Sequence, residues 1–155
     1  MSGIVKRSTN DIRLSRAESL LGSMAEADNA DLQEPVGKAL AKIQFYSSQI
    51  TPYCQALLNK VFTREGVSLN VKRNSAIYLY QVVELYGERE KEVQDLFLDI
   101  QKVFMKFLFD RKAYMQDLSS KALSKIYHQG TPEARNQLVE ALSKTLSGEK
   151  SASEH

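Results

Sequence analysis

The run Gln116-Asp117-Leu118-Ser119-Ser120-Lys121-Ala122-Leu123-Ser124-Lys125-Ile126-Tyr127-His128-Gln129-Gly130, followed by Thr131-Pro132-Glu133 and a second helical pattern, constrains this chain more than any other segment. Leu118, Ala122 and Ile126 recur every four residues, with Leu123 and Tyr127 one step round, so one helical face is apolar. Gln116, Lys121, Ser124 and Lys125 fall on other faces. A helix of this length is marginal alone in water and must pack on neighbours. Gly130 suits the left-handed conformation that ends a helix, Thr131 can cap the next one, and Pro132 fits its first position, where no intrahelical N–H bond is lost. The segment reads as a helical hairpin, a scaffold element rather than a set of reacting groups.

Similar helical patterns fill the preceding chain. The first, near residues 33–47, carries Val36, Leu40 and Ile43 on one face, and Asp31 with Glu34 has the spacing of a capping box ahead of it. The second starts at Thr51-Pro52 and carries Tyr53, Cys54, Leu57, Leu58, Val61 and Phe62. The third, near residues 69–86, presents Ile77, Tyr80, Val83 and Tyr86, and Gly87 stops it. The fourth, near residues 90–110, is the most hydrophobic, with Ile100, Val103, Phe104 and Phe107 among its apolar positions. The hairpin supplies the fifth and sixth, the latter burying Ala134, Leu138, Leu142 and Leu146.

Short polar connections pair first with second, third with fourth and fifth with sixth. The odd-numbered helices then start about 35 to 45 residues apart, near the period of HEAT and armadillo repeats. The expected fold is all-α, an α-solenoid of about three HEAT-like hairpins over residues 31–147, favoured over a closed four-helix bundle with extra helices. No strand-type alternation of useful length competes with it. Residues 1–30 read as a flexible arm with a weak helix near residues 10–21, and residues 148–155 as a disordered tail without a large apolar side chain.

A chain of 155 residues, 43% hydrophobic and 26% charged, is long enough for one continuous core. Its net charge of +2 implies no strong pull toward nucleic acid or an anionic membrane. The single cysteine, Cys54, cannot form an intrachain disulfide, and no apolar run is long enough to span a bilayer. With no secretory leader recognised either, the expected location is cytoplasmic, with the nucleus as a second compartment.

Candidate chemistry is sparse. His128 and His155 are the only histidines, and no His, Cys or carboxylate set has a diagnostic metal-ligand spacing. Cys54 reads as a structural thiol among apolar neighbours. The carboxylates Glu84, Glu88, Glu90, Glu92, Asp95 and Asp99 share their segments with Lys or Arg and read as solvated. The glycines form no phosphate-binding loop. These readings assign no catalytic, metal or cofactor residues, and an all-α enzyme using Cys54 or His128 is the weakest alternative. Lys102, Lys106, Arg111, Lys112, Lys121 and Lys125 could form a basic ridge for an acidic protein or RNA, or a solvated face balanced by Asp110, Asp117 and Glu133. Tyr78, Tyr80, Tyr86, Phe97, Phe104, Phe107 and Phe109 cannot all point one way, which leaves a few for a partner or for further repeats.

The run Ile100-Gln101-Lys102-Val103-Phe104, then Gln116 to Tyr127 with Gly130, then Gln137-Leu138-Val139, resembles a recurring segment of the large HEAT-repeat proteasome adaptor and scaffold proteins, the Ecm-twenty-nine family. Lys72-Arg73-Asn74-Ser75-Ala76 to Leu85-Tyr86-Gly87 occupies the place of the preceding family helix, so the likeness covers about residues 68–147. Ala122 stands where the family usually has glycine, and family members are far longer solenoids. The resemblance implies a non-enzymatic scaffold that binds the proteasome core or regulatory particle, with no small-molecule substrate. The alternative is a generic HEAT or armadillo-type adaptor for transport or nucleic acid.

Overall fold

The computed structural model describes residues 13, 16 and 30–154. Its helices are α1 (Ala30–Tyr46), α2 (Ile50–Phe62), α3 (Leu69–Tyr86), α4 (Lys91–Gln94), α5 (Phe97–Phe107), α6 (Ala113–Gln129) and α7 (Pro132–Glu154), and among the described residues there is no strand. The helix expected near residues 10–21 and nearly all of the expected arm lie outside the described residues, as does His155.

Several boundaries differ from the sequence expectation. Asp31 and Glu34 lie inside α1 rather than capping it, because the helix already begins at Ala30. The expected fourth helix is two: Leu96 N–H donates to the Val93 carbonyl three residues back, and the Gln94 amide donates to the Gly87 and Glu88 carbonyls, tying α4 to the end of α3. Gly130 is extended (φ −80°, ψ 171°) rather than left-handed. Its lack of a side chain serves close approach, since a Cβ there would lie 2.8 Å from the Ile126 carbonyl oxygen. Arg135 closes α6 instead, donating to the Tyr127 and His128 carbonyls at 2.7 and 3.1 Å. Thr131 caps α7 by accepting from Ala134 N–H, and Pro132 is the first helical residue. α7 continues past Gly148 to Glu154, so that glycine does not mark its end.

The helices form two layers. α1, α3 and α6 are successive neighbours in one layer, and α2, α5 and α7 in the other. Each helix also touches its sequence neighbours across the layers, which makes this an all-α stack of three helix pairs. The most extensive packing does not lie within the expected pairs. α3 packs chiefly on α1 and α2, and α6 chiefly on α5.

α3 is therefore enclosed on several sides, and residues 74–83 are all buried. A helix buried around its whole circumference needs apolar surface or satisfied polar groups on every face. Ala76, Ile77, Leu79, Val82 and Val83 meet the first requirement. Ser75 meets the second by donating to the Val71 carbonyl at 2.8 Å, and Tyr78 by donating its hydroxyl to Gln33 of α1. In the other layer Ile100, Val103, Phe104 and Phe107 are almost wholly enclosed.

Arg73 at the start of α3 grips Asp110 between α5 and α6, with Nε–Oδ2 3.0 Å and Nη2–Oδ1 3.3 Å. Both side chains are about nine-tenths covered, so this fork is a much stronger constraint than an exposed ion pair. Asp110 also accepts from Lys112 N–H and, through its backbone carbonyl, from the Gln116 amide, which sets the turn into α6.

Gly37 lets α1 approach α3: a Cβ at this position would lie 2.6 Å from Tyr78 Cδ1. We expect Gly37→Ala to lower stability by about 1 kcal/mol, because an overpacking cost of about 2 kcal/mol exceeds the roughly 1 kcal/mol that alanine gains in helix propensity. Thermal unfolding checks this, and an unchanged or raised melting temperature would contradict the close packing. At the other end of α1, Ser48 is left-handed (φ 59°), with Gln49 N–H donating to Gln44 O and Ser48 N–H to Phe45 O. These two bonds form a Schellman end, where glycine avoids a Cβ penalty of about 1 kcal/mol. Ser48→Gly is accordingly expected to raise the melting temperature by about 3 °C.

Candidate functional site

The residues able to carry chemistry are dispersed. Cys54 on α2 is fully buried, and burial, with the Glu92 carboxylate adding to it, pushes its thiol up to about 12. A thiol so protonated at neutral pH is a weak nucleophile. Burial likewise raises Tyr53 and Tyr78 above the ordinary phenol value. His128 lies exposed in the last turn of α6, its ring edge-on to Tyr127 at 5.4 Å. Glu92 accepts from Thr51 at 3.3 Å, and Asp99 meets Lys102 at 3.8 Å. Among the described residues no three His, Cys, Asp or Glu converge on a point that could hold a metal ion, and no helix is long and apolar enough to cross a membrane.

The six cations of the proposed ridge fall on different surfaces. Lys106 turns toward α2, donating to the Val61 carbonyl at 3.3 Å and lying over the Phe62 ring. Burial lowers its pKa, and Lys72 lowers it further. Lys102 pairs with Asp99 on α5, Arg111 and Lys112 occupy the turn before α6, and Lys125 lies beside Glu88 and His128. Lys121, one turn before Lys125 on α6, lies among carboxylates. The ridge is thus divided, because its cations sit on two helices of different layers and on the turn between them.

The aromatic residues also separate. Phe97, Phe104, Phe107, Tyr78 and Tyr80 are buried, Tyr86 stacks on Phe45 with centroids 4.1 Å apart, and Phe109 is exposed. Apolar side chains remain open at the α6–α7 end of the stack, where Leu108, Leu123, Tyr127, Leu138, Val139 and Leu142 line a groove. Tyr127 is 40% exposed and Val139 51%. Arg135 covers one side of Tyr127, with its guanidinium 5.6 Å from the ring centroid.

A second concavity has a different character. It lies where α1 and α6 flank α3, has a volume of about 330 Å³, and is lined by Asp31, Glu34, Glu84, Tyr80, Gln81 and Lys121 among others. The Glu84 and Glu34 carboxylates, after burial itself, raise Tyr80 above its ordinary phenol value, which marks the negative field there. Glu84 and Lys121 are both exposed there. Only the packing of α1 and α6 on either side of α3 brings residues from three separate segments together.

Compared with known proteins, the chain matches no family model, no curated protein and no solved structure. The likeness to the Ecm-twenty-nine family therefore rests on the quoted residues alone.

Cys54 supplies a test of the buried helix layer. Because its folded-state value lies above the ordinary 9.0, native stability falls as pH rises from about 9.0 toward 12, where the unfolded chain releases the thiol proton and the native chain holds it. The raised Tyr53 and Tyr78 act in the same direction. We expect alkaline unfolding to set in above pH 9 and Cys54 to react with a thiol reagent at neutral pH only as fast as the protein unfolds. Rapid stoichiometric labelling of the native chain would show the thiol to be accessible.

Proposed function

We propose that this chain is a non-enzymatic, protein-binding helical-repeat scaffold that associates with the proteasome, in the cytoplasm and the nucleus. The observation that carries the scaffold reading is the open apolar groove at the α6–α7 end, where Tyr127 and Val139 stand in solvent beside the buried Leu138. Exposed apolar patches at concave positions serve protein contacts, and Tyr is enriched where such contacts hold most of their energy.

The proteasome reading draws on the resemblance of residues 68–147. Ser119, Ala122, Leu123 and Ile126, which carry much of that resemblance, are buried and hold α6 in place. Ala122 is fully enclosed, so a small side chain suits the packing where the family usually has glycine. Partner choice then falls to exposed positions such as Tyr127 and Val139. The scaffold would act by geometry, holding these side chains in a fixed array at little entropic cost on binding.

The tagged 155-residue chain is expected to enrich proteasome subunits from cell extract at moderate salt, read by mass spectrometry. Tyr127→Ser combined with Val139→Ser should keep the helical circular dichroism and lose that enrichment. Enrichment of other proteins without proteasome subunits would retain the scaffold and remove the proteasome from the proposal. Capture of no protein at all would remove both.

A further inference from the structure

The turn from α2 to α3 and the turn from α5 to α6 form one end of the stack, and they combine exposed apolar side chains with unpaired cations. Phe62, Leu69 and Phe109, each 44% to 50% exposed, are three of the seven large apolar side chains that stand in solvent among the described residues. Contacts bring their segments together. Lys106 donates to the Val61 carbonyl at 3.3 Å and lies 6.0 Å from the Phe62 ring centroid. It is also near enough to Lys72 for that charge, after burial, to lower its pKa. The Arg73–Asp110 fork holds the turn that contains Phe109 against the start of α3, and Leu69 precedes Arg73 by four residues on the same helix face.

The charges of these two turns are one-sided. Residues 62–72 carry Arg64 and Lys72 with Glu65, and residues 106–112 carry Lys106, Arg111 and Lys112 with Asp110. Asp110 is taken up by Arg73, so five cations share one remaining carboxylate, and among the described residues none of the five forms an ion pair. Three of them belong to the divided basic ridge, and the α2–α3 turn and α3 add the other two. The net charge of +2 conceals this excess, because carboxylates such as Glu84, Glu88, Glu90 and Glu92 gather at and beyond the far end of α3. Neighbouring cations without a counterion and apolar groups left in water are both unfavourable in the free chain, and one kind of surface relieves both.

We infer that this end of the stack adsorbs to an anionic phospholipid bilayer, with Phe62, Leu69 and Phe109 entering the headgroup region and the five cations meeting its phosphates. Long Lys and Arg stems let the charges stay at the level of the phosphates while the apolar groups sit deeper. The mixture of side chains favours a bilayer over other polyanions. Single-stranded nucleic acid needs ring faces free for stacking, whereas Lys106 lies over the Phe62 ring and Leu69 has no ring. An acidic peptide would have to match three apolar groups on two separate turns, and a fluid headgroup layer imposes no such register.

Binding of the 155-residue chain is measured by sedimentation with vesicles of phosphatidylcholine alone and of phosphatidylcholine and phosphatidylserine in about equal amounts. The chain should pellet with the mixed vesicles only, and less of it as salt rises from about 0.1 to 0.5 M. Arg111→Gln/Lys112→Gln should weaken binding about twentyfold, roughly fivefold for each cation lost. Lys38→Gln/Lys42→Gln removes the same charge from exposed positions on α1 and should weaken binding less than about threefold. Entry of the apolar groups is read separately. Phe109→Trp introduces an indole whose emission should shift to the blue on mixed vesicles and be quenched by brominated acyl chains. Tyr46→Trp, at an exposed position beside Phe45 and the far end of α3, should show neither change. This readout depends on binding being kept, so it stands even where a charge variant fails to fold. Tyr127→Ser/Val139→Ser should bind vesicles like the parent, which separates this surface from the protein-binding groove.

Equal pelleting with both kinds of vesicle, pelleting with neither, equal losses in the two charge-removing pairs, or a Phe109→Trp indole that stays in water while the chain pellets would each overturn the assignment. So would polyuridylate that is held more tightly than the mixed vesicles and displaces the chain from them, since this end would then be a nucleic-acid surface.

Discussion

Burial of α3 on several sides is the constraint on which the rest of the fold depends. Ten consecutive residues, 74–83, are shielded from water, so α1, α2, α5 and α6 must all be in place before that helix is satisfied. Such an arrangement makes cooperativity a matter of geometry. Loss of α1 would expose the Tyr78 face and strand its hydroxyl without Gln33, while loss of α6 would open the opposite flank. Gly37 has the same logic in miniature, since the approach of α1 to α3 leaves no room for a methyl group.

The Arg73–Asp110 fork extends this constraint along the stack. It joins the start of α3 to the turn between α5 and α6, where Asp110 also receives Lys112 N–H. One buried pair thus fixes the position at which the third helix pair departs from the second. A charged link in this place tolerates little variation, because removal of either partner leaves the other buried without compensation. The fork thereby ties the start of α3 to the turn before α6.

The two concavities described above differ in character. The apolar groove lies along α6 and α7, where no described helix covers Tyr127 and Val139. The acidic cleft lies where α1 and α6 flank α3. Beneath it the Gln81 side-chain oxygen has no hydrogen-bond partner among the described residues.

Local patterning by itself determined the all-α class, the approximate helix positions and the caps at Thr131 and Pro132, because apolar spacing and terminal chemistry act within a few residues. It also located Leu138 in the core. It read α3 as one-faced, from Ile77, Tyr80, Val83 and Tyr86, because periodicity reports that a face is apolar and not how many neighbours surround the helix. The break between α4 and α5 escaped it for a related reason: the Gln94 amide reaches back to carbonyls that only folding brings near. The dispersal of the basic residues and the meeting of Glu34, Gln81 and Lys121 were decided by tertiary structure alone. These three lie 47 and 40 residues apart in succession, and no local rule records a distance that arises only when α1 and α6 pack against the same helix.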